Sequence, residues 1–224
     1  MTEIPPDPVS AKATLRRKLG ERIAALDPPE KRIAGESLAR RVLELPEVEE
    51  AAAIFTCLSF GAEIDTWGLV EALLREGRRI YVPRTEYGDD RLHVHPYPCR
   101  LETLSFGLRQ PRPDAPELAP EAVDETLDVA LVLGLGFDRR GVRLGYGRGY
   151  FDRFLAGRPF PALGLAHRCQ LLDHLPREPH DVPMTLVATD EEVVRPGGHT
   201  RREGDPSGNP EEIVSGAQAE EEES

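Results

Sequence analysis

Three glycines at alternate positions, Gly145, Gly147 and Gly149, follow Arg143, enclose Arg148 and run into Tyr150, Phe151 and Asp152. Alternating glycines let successive backbone N–H groups face one concavity, a geometry that holds an anion. A helix starting near Gly149 adds free N–H donors and a partial positive charge. Arg143 and Arg148 add full charges, and the combination reads as a phosphate cradle. Asp152, in the first turn of that helix, is either an acid favoured by the helix dipole or a Mg2+ ligand beside phosphates, because Mg2+ takes one or two carboxylates plus substrate oxygens. The plainer alternative is a glycine-rich turn between a strand and a helix, with solvated arginines. Two common phosphate motifs are absent. A Walker loop ends in Gly-Lys-Ser/Thr, and Gly149 is followed by Tyr150. The dinucleotide fingerprint needs a glycine in its sixth place. Counted from Gly134 that place is Arg139, and counted from Gly145 the third glycine comes one residue early.

Other residues with chemical potential are more ambiguous. Lys12 and Arg16 are four apart, which puts them on one helix face, where they converge on one anion or belong to a solvated basic face with Arg17, Lys18 and Arg22. Glu63 precedes a helix cap and by itself reads as an exposed loop acid. His93 and His95 alternate on one face of a strand without a third ligand in view, so polar-face histidines are favoured over a metal pair. Cys57 reads as a small core residue and Trp67 as helix–sheet packing.

The elements that must position these residues alternate along the chain. Ser10 is placed to cap a helix carrying Leu15, Leu19, Ile23 and Leu26 on one stripe. Pro28-Pro29 breaks it, and a second helix is expected from Glu30 to Leu43. Residues 51–59 read as a buried strand, and Asp65 or Thr66 caps a helix through Glu76 that Gly77 stops. Strands are expected at 79–84, at 91–97 on an edge or in a hairpin, at 127–137 as the strongest buried one, and at 162–167 and 185–190. Residues 98–125 read as a long Pro-rich loop with one short helix, and a helix is expected from Gly149 to just before Gly157. The alternation predicts a single α/β domain, a mostly parallel sheet flanked by helices in a Rossmann-like three-layer arrangement, with ligands beyond the C-terminal ends of the strands. Its expected span is residues 10–194, between a flexible N-terminus (1–9) and a disordered acidic C-terminal tail (195–224) that lacks the apolar content to order itself.

The bulk numbers narrow the partners. Hydrophobic residues make up 39% and charged residues 30% of 224, enough for a core beneath a solvated surface. A net charge of -12 argues against a nucleic-acid binder, which needs a basic face, though not against a local cationic pocket. Three scattered cysteines without a CxxC pair fit a reducing compartment and offer no zinc or disulfide framework. No apolar run approaches the ~20 residues of a membrane span, and the first residues lack a secretion signal. A soluble cytoplasmic monomer, with no membrane partner, is expected.

The segment GLGFDRRGVRLGYGRGYFDRFL resembles the signature of the 5-formyltetrahydrofolate cyclo-ligase (5,10-methenyltetrahydrofolate synthetase) family, close to GxxFDxxGxRLGxGxGYYDR, with Phe151 the one changed aromatic. KATLR (12–16), LSFGAEIDT (58–66), YVPR (81–84) and EPHDVP (178–183) agree in order and spacing, so the likeness covers about residues 10–190. The resemblance implies a ligase that closes 5-formyltetrahydrofolate to 5,10-methenyltetrahydrofolate at the expense of ATP, with Mg2+. It implies that Lys12, Arg16 and the run Arg143, Leu144, Gly145, Tyr146, Gly147, Arg148, Gly149, Tyr150 and Phe151 bind ATP. Arg148 stands where the family often has Lys, and Lys12, Arg143 and Arg148 are the implied catalytic cations. Asp152 is the implied Mg2+ ligand. Leu58, Glu63 and Tyr146 are implied to bind the folate, Glu63 pairing with the pterin's N–H donors and Tyr146 packing on a flat ring. One departure is Thr185, where some members carry a second metal carboxylate. Asp181 lies near in sequence and is not assigned that role. Two other readings stay open: a sugar-phosphate isomerase or CoA-transferase-like enzyme on a similar scaffold, and a non-catalytic folate- or nucleotide-binding relative.

Overall fold

The computed structural model describes residues 8–197. Helix α1 (Pro8–Ala24) opens at Pro8, so Ser10 lies inside its first turn and does not cap it. Leu19 and Ile23 are buried as the stripe predicts, while Leu26 falls beyond the helix end. Helix α2 (Pro28–Leu43) starts two residues early because Pro28 and Pro29 occupy its first positions, where a missing N–H costs nothing. Asp27 and Glu30 close a reciprocal capping box there, the Asp27 carboxylate accepting from Glu30 N at 2.7 Å and Glu30 accepting from Asp27 N at 2.9 Å. Short helix α3 (Pro46–Glu49) and strand β1 (Ala53–Thr56) follow. Helix α4 (Trp67–Arg75) is entered through Asp65, whose Oδ1 accepts from Trp67 N at 2.8 Å. Gly77, with φ +80°, then turns the chain into strand β2 (Arg79–Thr85) and its antiparallel neighbour β3 (Leu92–Tyr97).

The 98–125 stretch is more ordered than its prolines suggest. It contains a hairpin of β4 (Leu101–Thr103) and β5 (Arg109–Pro111), then a 3-10 turn and short helix α5 (Val123–Thr126). The expected single strand at 127–137 is two. Strand β6 (Val129–Leu133) stays in the main sheet, and the chain then bends at Gly134 into β7 (Gly136–Asp138), which pairs with β8 (Arg143–Leu144). Glycine at 136 lets α1 pack closely on β7, since a Cβ there would lie 2.6 Å from Leu19 Cδ1. Helix α6 (Tyr150–Leu155), strand β9 (Ala162–Ala166), the two-residue β10 (Leu171–Leu172), β11 (Leu186–Thr189) and β12 (Val193–Val194) complete the order.

The main sheet runs β12-β11-β9-β6-β1-β2-β3, parallel throughout except at its two antiparallel edges. Every residue of β1, β6, β9 and β11 is buried, as a sheet covered on both faces requires. Leu38, Val42, Leu69 and Leu73 of α2 and α4 pack on one face. Val123, Phe154 and Leu155 of α5 and α6 pack on the other. This is the expected single α/β domain with a mostly parallel sheet between helical layers.

The ends need correction where they can be seen. Pro8 and Val9 are helical, and Arg195 is tied to the body by an ion pair with Glu47, Nη2 to Oε2 at 3.0 Å. The rest of both expected termini, 1–7 and 198–224, lies outside the described residues. Among the described residues no helix is long and apolar enough to cross a membrane.

Candidate active site

A cavity of about 1180 Å³ opens beyond the C-terminal ends of β1, β2 and β6, where Cys57, Leu58, Thr85 and Leu133 line it. Ligands are expected at this end of a parallel sheet. All the sequence-predicted site residues line it: Lys12, Arg16, Leu58, Glu63 and the unbroken run from Arg143 to Asp152.

The β7–β8 hairpin presents that run. Its anchor is Asp138, a fully buried carboxylate that sequence reasoning passed over. Oδ1 accepts from Arg140 N and Val142 N, both at 2.9 Å, and Oδ2 accepts from Leu175 N at 2.9 Å and from the Arg140 guanidinium at 2.7 and 3.0 Å. A carboxylate in a turn commonly bonds the backbone two residues on, so Asp138-x-Arg140 was a readable signal. Arg143 emerges from this hairpin only 5% exposed. Its Nη2 donates to Asp152 Oδ2 at 2.9 Å, its guanidinium sits 5.3 Å over the Phe151 ring, and its Nε has no partner among the described residues. Buried donors are rarely left unpaired, so an incoming acceptor would find one ready here.

The three loop glycines have different reasons. Gly147 (φ +101°) and Gly149 (φ +66°) hold backbone that other residues adopt only with strain. A Cβ at Gly145 would instead meet Arg143 Nη1 at 2.6 Å. Arg16 Nε donates to Gly145 O at 2.9 Å and ties α1 to the loop. On the other side Arg153 donates to Arg148 O and Asp90 O, both at 2.9 Å, and the Tyr150 hydroxyl donates to Asp89 O at 3.0 Å. The loop is thus pinned at both flanks. Between the pins the Arg148 side chain is exposed and makes no hydrogen bond or ion pair among the described residues.

Lys12 is buried, and its Nζ donates to Glu178 Oε2 at 2.7 Å and to Asp181 Oδ2 and Oδ1 at 2.7 and 3.0 Å. Burial alone would lower the Lys12 pKa, but the two carboxylates outweigh it and raise it. Burial likewise opposes ionisation of Asp181, and the Lys12 ammonium overcomes this and holds its carboxyl below the usual range. Ligand atoms of Glu178, His180 and Asp181 lie within 4.8 Å of one another, yet the two acids are spent on Lys12 rather than gathered around an open centre.

Glu63 meets the glycine loop from a distant part of the chain. Its Oε1 accepts from the Tyr146 hydroxyl at 2.8 Å and its Oε2 accepts from Phe60 N at 3.0 Å. Burial raises the Glu63 pKa, against the pull of those two hydrogen bonds, and burial together with the Glu63 charge raises that of Tyr146. Neither the loop position of Glu63 nor the exposed ring of Tyr146 announced this contact across 83 residues.

Thr185 does not line the cavity. It stands at the opposite, N-terminal end of the strands, where its Oγ1 accepts from Ala162 N at 3.2 Å. The histidines are not a metal pair. His93 bonds Glu117 at 2.8 Å and Asp89 at 3.0 Å, and His95 bonds Pro116 O at 2.8 Å. Cys57 is buried, with a thiol pushed up to about 12 chiefly by burial, which fits a core role. Trp67 packs against the core, donates from Nε1 to Ser59 O at 3.0 Å and carries the Arg109 guanidinium 4.5 Å over its ring. Phe106 and Arg109 on the cavity wall were missed, because nothing in the spacing of the 98–125 stretch marks a hairpin that folds back over the site, and Phe60 beside them was not singled out.

Residues 8–190 match the family model described as the 5-formyltetrahydrofolate cyclo-ligase family. This chain belongs to that family. It is 33% identical over 180 residues to the 5-formyltetrahydrofolate cyclo-ligase of Escherichia coli K12, covering 77% of this chain and 97% of the relative. To the enzyme of that name from Mycolicibacterium smegmatis it is 39% identical over 136 residues, 58% of this chain and 69% of the relative. Among solved structures, the 5,10-methenyltetrahydrofolate synthetase of Aquifex aeolicus superposes with a TM-score of 0.71 at 26% identity, covering 88% of this chain and 99% of that one. The cyclo-ligase fold, with its seven-stranded mixed sheet, is the one described above. The chain is accordingly an enzyme of the ligase class with 5,10-methenyltetrahydrofolate synthetase activity, acting on a small folate.

Proposed function

We infer that this cyclo-ligase uses ATP, as Mg-ATP, to activate the formyl oxygen of 5-formyltetrahydrofolate, and that the loop from Arg143 to Phe151 holds the phosphates. The observation that carries this reading is the charge arrangement. Arg16 and Arg148 have no carboxylate partner among the described residues, and Arg143 keeps an unpartnered Nε, all on one wall of the cavity that also holds Glu63. The arginines suit a polyanion, and Glu63, which meets the loop at Tyr146, suits a donor-rich heterocycle.

An N-formyl oxygen is a poor leaving group. In the proposed sequence that oxygen attacks the γ-phosphorus, the bond to the bridging oxygen breaks and ADP leaves. N10 then attacks the resulting iminium carbon, the five-membered ring closes and N10 loses its proton. The C–O bond breaks, and phosphate departs carrying the former formyl oxygen. Little covalent work falls to the protein, whose tasks are alignment and stabilisation of charge on the transferred group. Arg143 and Arg148 stabilise that charge, Lys12 and Arg16 hold phosphates from α1, and Leu58, Glu63 and Tyr146 seat the folate.

Asp152 fits a Mg2+ ion as one hard donor. Its Oδ2 is taken by Arg143, but Oδ1 has only a 3.3 Å contact from Val182 N. Asp152 would hold the ion with phosphate oxygens and water, and the bound ion would neutralise phosphate charge. Lys12 is committed to Glu178 and Asp181, so its engagement with phosphate requires sharing its three donors.

The expected result with purified protein is growth of the methenyl absorbance from 5-formyltetrahydrofolate when Mg-ATP is supplied, none when ATP is omitted, and recovery when it is restored. Equal rates with and without ATP would refute the phosphate role of the loop.

A further inference from the structure

We propose that Arg109 is the recognition site for the glutamate carboxylates of the folate. This proposal deepens the folate reading above and rests on it.

The cavity cations fall into two groups. Lys12 and Arg16 of α1, Arg143 of β8, Arg148 of the glycine loop and Arg153 of α6 gather around that loop, Arg153 already bonded to Arg148 O and Asp90 O. Arg109 stands apart on the β5 strand of the hairpin, where it lines the cavity with Phe60 and Phe106 and stacks on Trp67. It is exposed, and among the described residues it has no carboxylate partner and no side-chain hydrogen bond. Its orientation is nevertheless set. The guanidinium lies 4.5 Å from the centroid of the Trp67 ring, and Trp67 is itself fixed through Nε1 to Ser59 O at 3.0 Å. Stacking on an aromatic face leaves the guanidinium edge free for a carboxylate.

The segment from Ser59 to Trp67 links this cation to the folate end of the cavity. Glu63 accepts from Phe60 N, the Phe60 ring meets Phe106 edge-on with centroids 5.8 Å apart, and Ser59 O holds Trp67 beneath Arg109. The cavity therefore offers a ligand a carboxylate acceptor, an aromatic pair and a free cation linked through this one segment. A folate has the matching groups: a pterin rich in N–H donors, a flat aminobenzoyl ring and a glutamate bearing two carboxylates. The cations around the loop are assigned to the other substrate or, like Arg153, tied to backbone carbonyls, which leaves Arg109 as the cation for this tail.

Trp67 is the chain's only tryptophan, so its fluorescence reports ligand arriving beside Arg109. The test is to titrate 5-formyltetrahydrofolate and its tail-less counterpart, 5-formyltetrahydropteroate, without ATP. The dissociation constant comes from the concentration dependence, so an altered starting intensity in a variant does not enter. The wild type should bind the tailed compound about fivefold more tightly, the scale of a partly solvated charge pair. Arg109→Ala should abolish that preference and leave the tail-less compound unaffected, and Arg109→Lys should restore part of it. The proposal is overturned if Arg109→Ala leaves the preference intact, weakens both compounds equally, or if the wild type shows no preference. The phosphoryl-transfer reading is decided separately by the methenyl assay.

Discussion

Replacing Arg148 with alanine is expected to lower kcat by about 10²- to 10³-fold, the usual cost of losing one preorganised charge aimed at a transferred phosphoryl group. The melting temperature should stay close to wild type, because the side chain is exposed and touches nothing that holds the fold. Arg148→Lys should keep much of the activity, since the position needs charge more than a fork. The contrast is Arg143→Ala. That change would also destabilise the protein, because Arg143 is buried and its loss leaves the Asp152 carboxylate without its ion-pair partner. Steady-state kinetics and thermal melts of the three variants separate the two roles. Near-wild-type turnover in Arg148→Ala would remove Arg148 from the reaction.

The second large effect is at Glu63. On the proposed reading its carboxylate accepts charge-assisted hydrogen bonds from the pterin, and Glu63→Ala is expected to raise KM for the folate by about 10²-fold with a smaller change in KM for ATP. A pH dependence follows. Burial raises the Glu63 pKa, so the carboxylate is fully present only above that raised value and is lost as pH falls through it. kcat/KM for the folate should therefore decline on the acid side in the wild type at a pH above the ordinary carboxyl range. That limb should vanish in Glu63→Gln, which cannot titrate. An identical acid limb in both proteins would assign it to another group.

These two residues also show how unevenly the site could be read from the chain. The glycine loop was legible because its chemistry is local: Gly147 and Gly149 adopt left-handed backbone, and Arg143 and Arg148 are its neighbours in sequence. The parallel strands were legible because they are buried on both faces and so read as apolar runs. What stayed hidden depends on contacts between distant segments. Asp138 looked like one more acid, yet it sets the hairpin that delivers Arg143. Lys12 was assigned to phosphate, and only the fold brings Glu178 and Asp181, more than 160 positions away, onto its ammonium. The β4–β5 hairpin is short, and it joins β2 through side chains such as Gln110, whose Nε2 donates to Thr85 O at 3.3 Å, so no run of alternating residues betrays it. Position 185 counted as a departure from the family's metal ligands, and the fold puts it at the far end of the sheet from the cavity.

The fate of one oxygen atom tests the central claim most directly. Starting from 5-formyltetrahydrofolate labelled with 18O in the formyl group, the phosphate released during a single turnover with Mg-ATP should carry the label, one heavy atom per phosphate, in mass spectrometry. Unlabelled phosphate alongside full conversion to the methenyl product would contradict the account, because the formyl oxygen would then have left without ever being bonded to phosphorus.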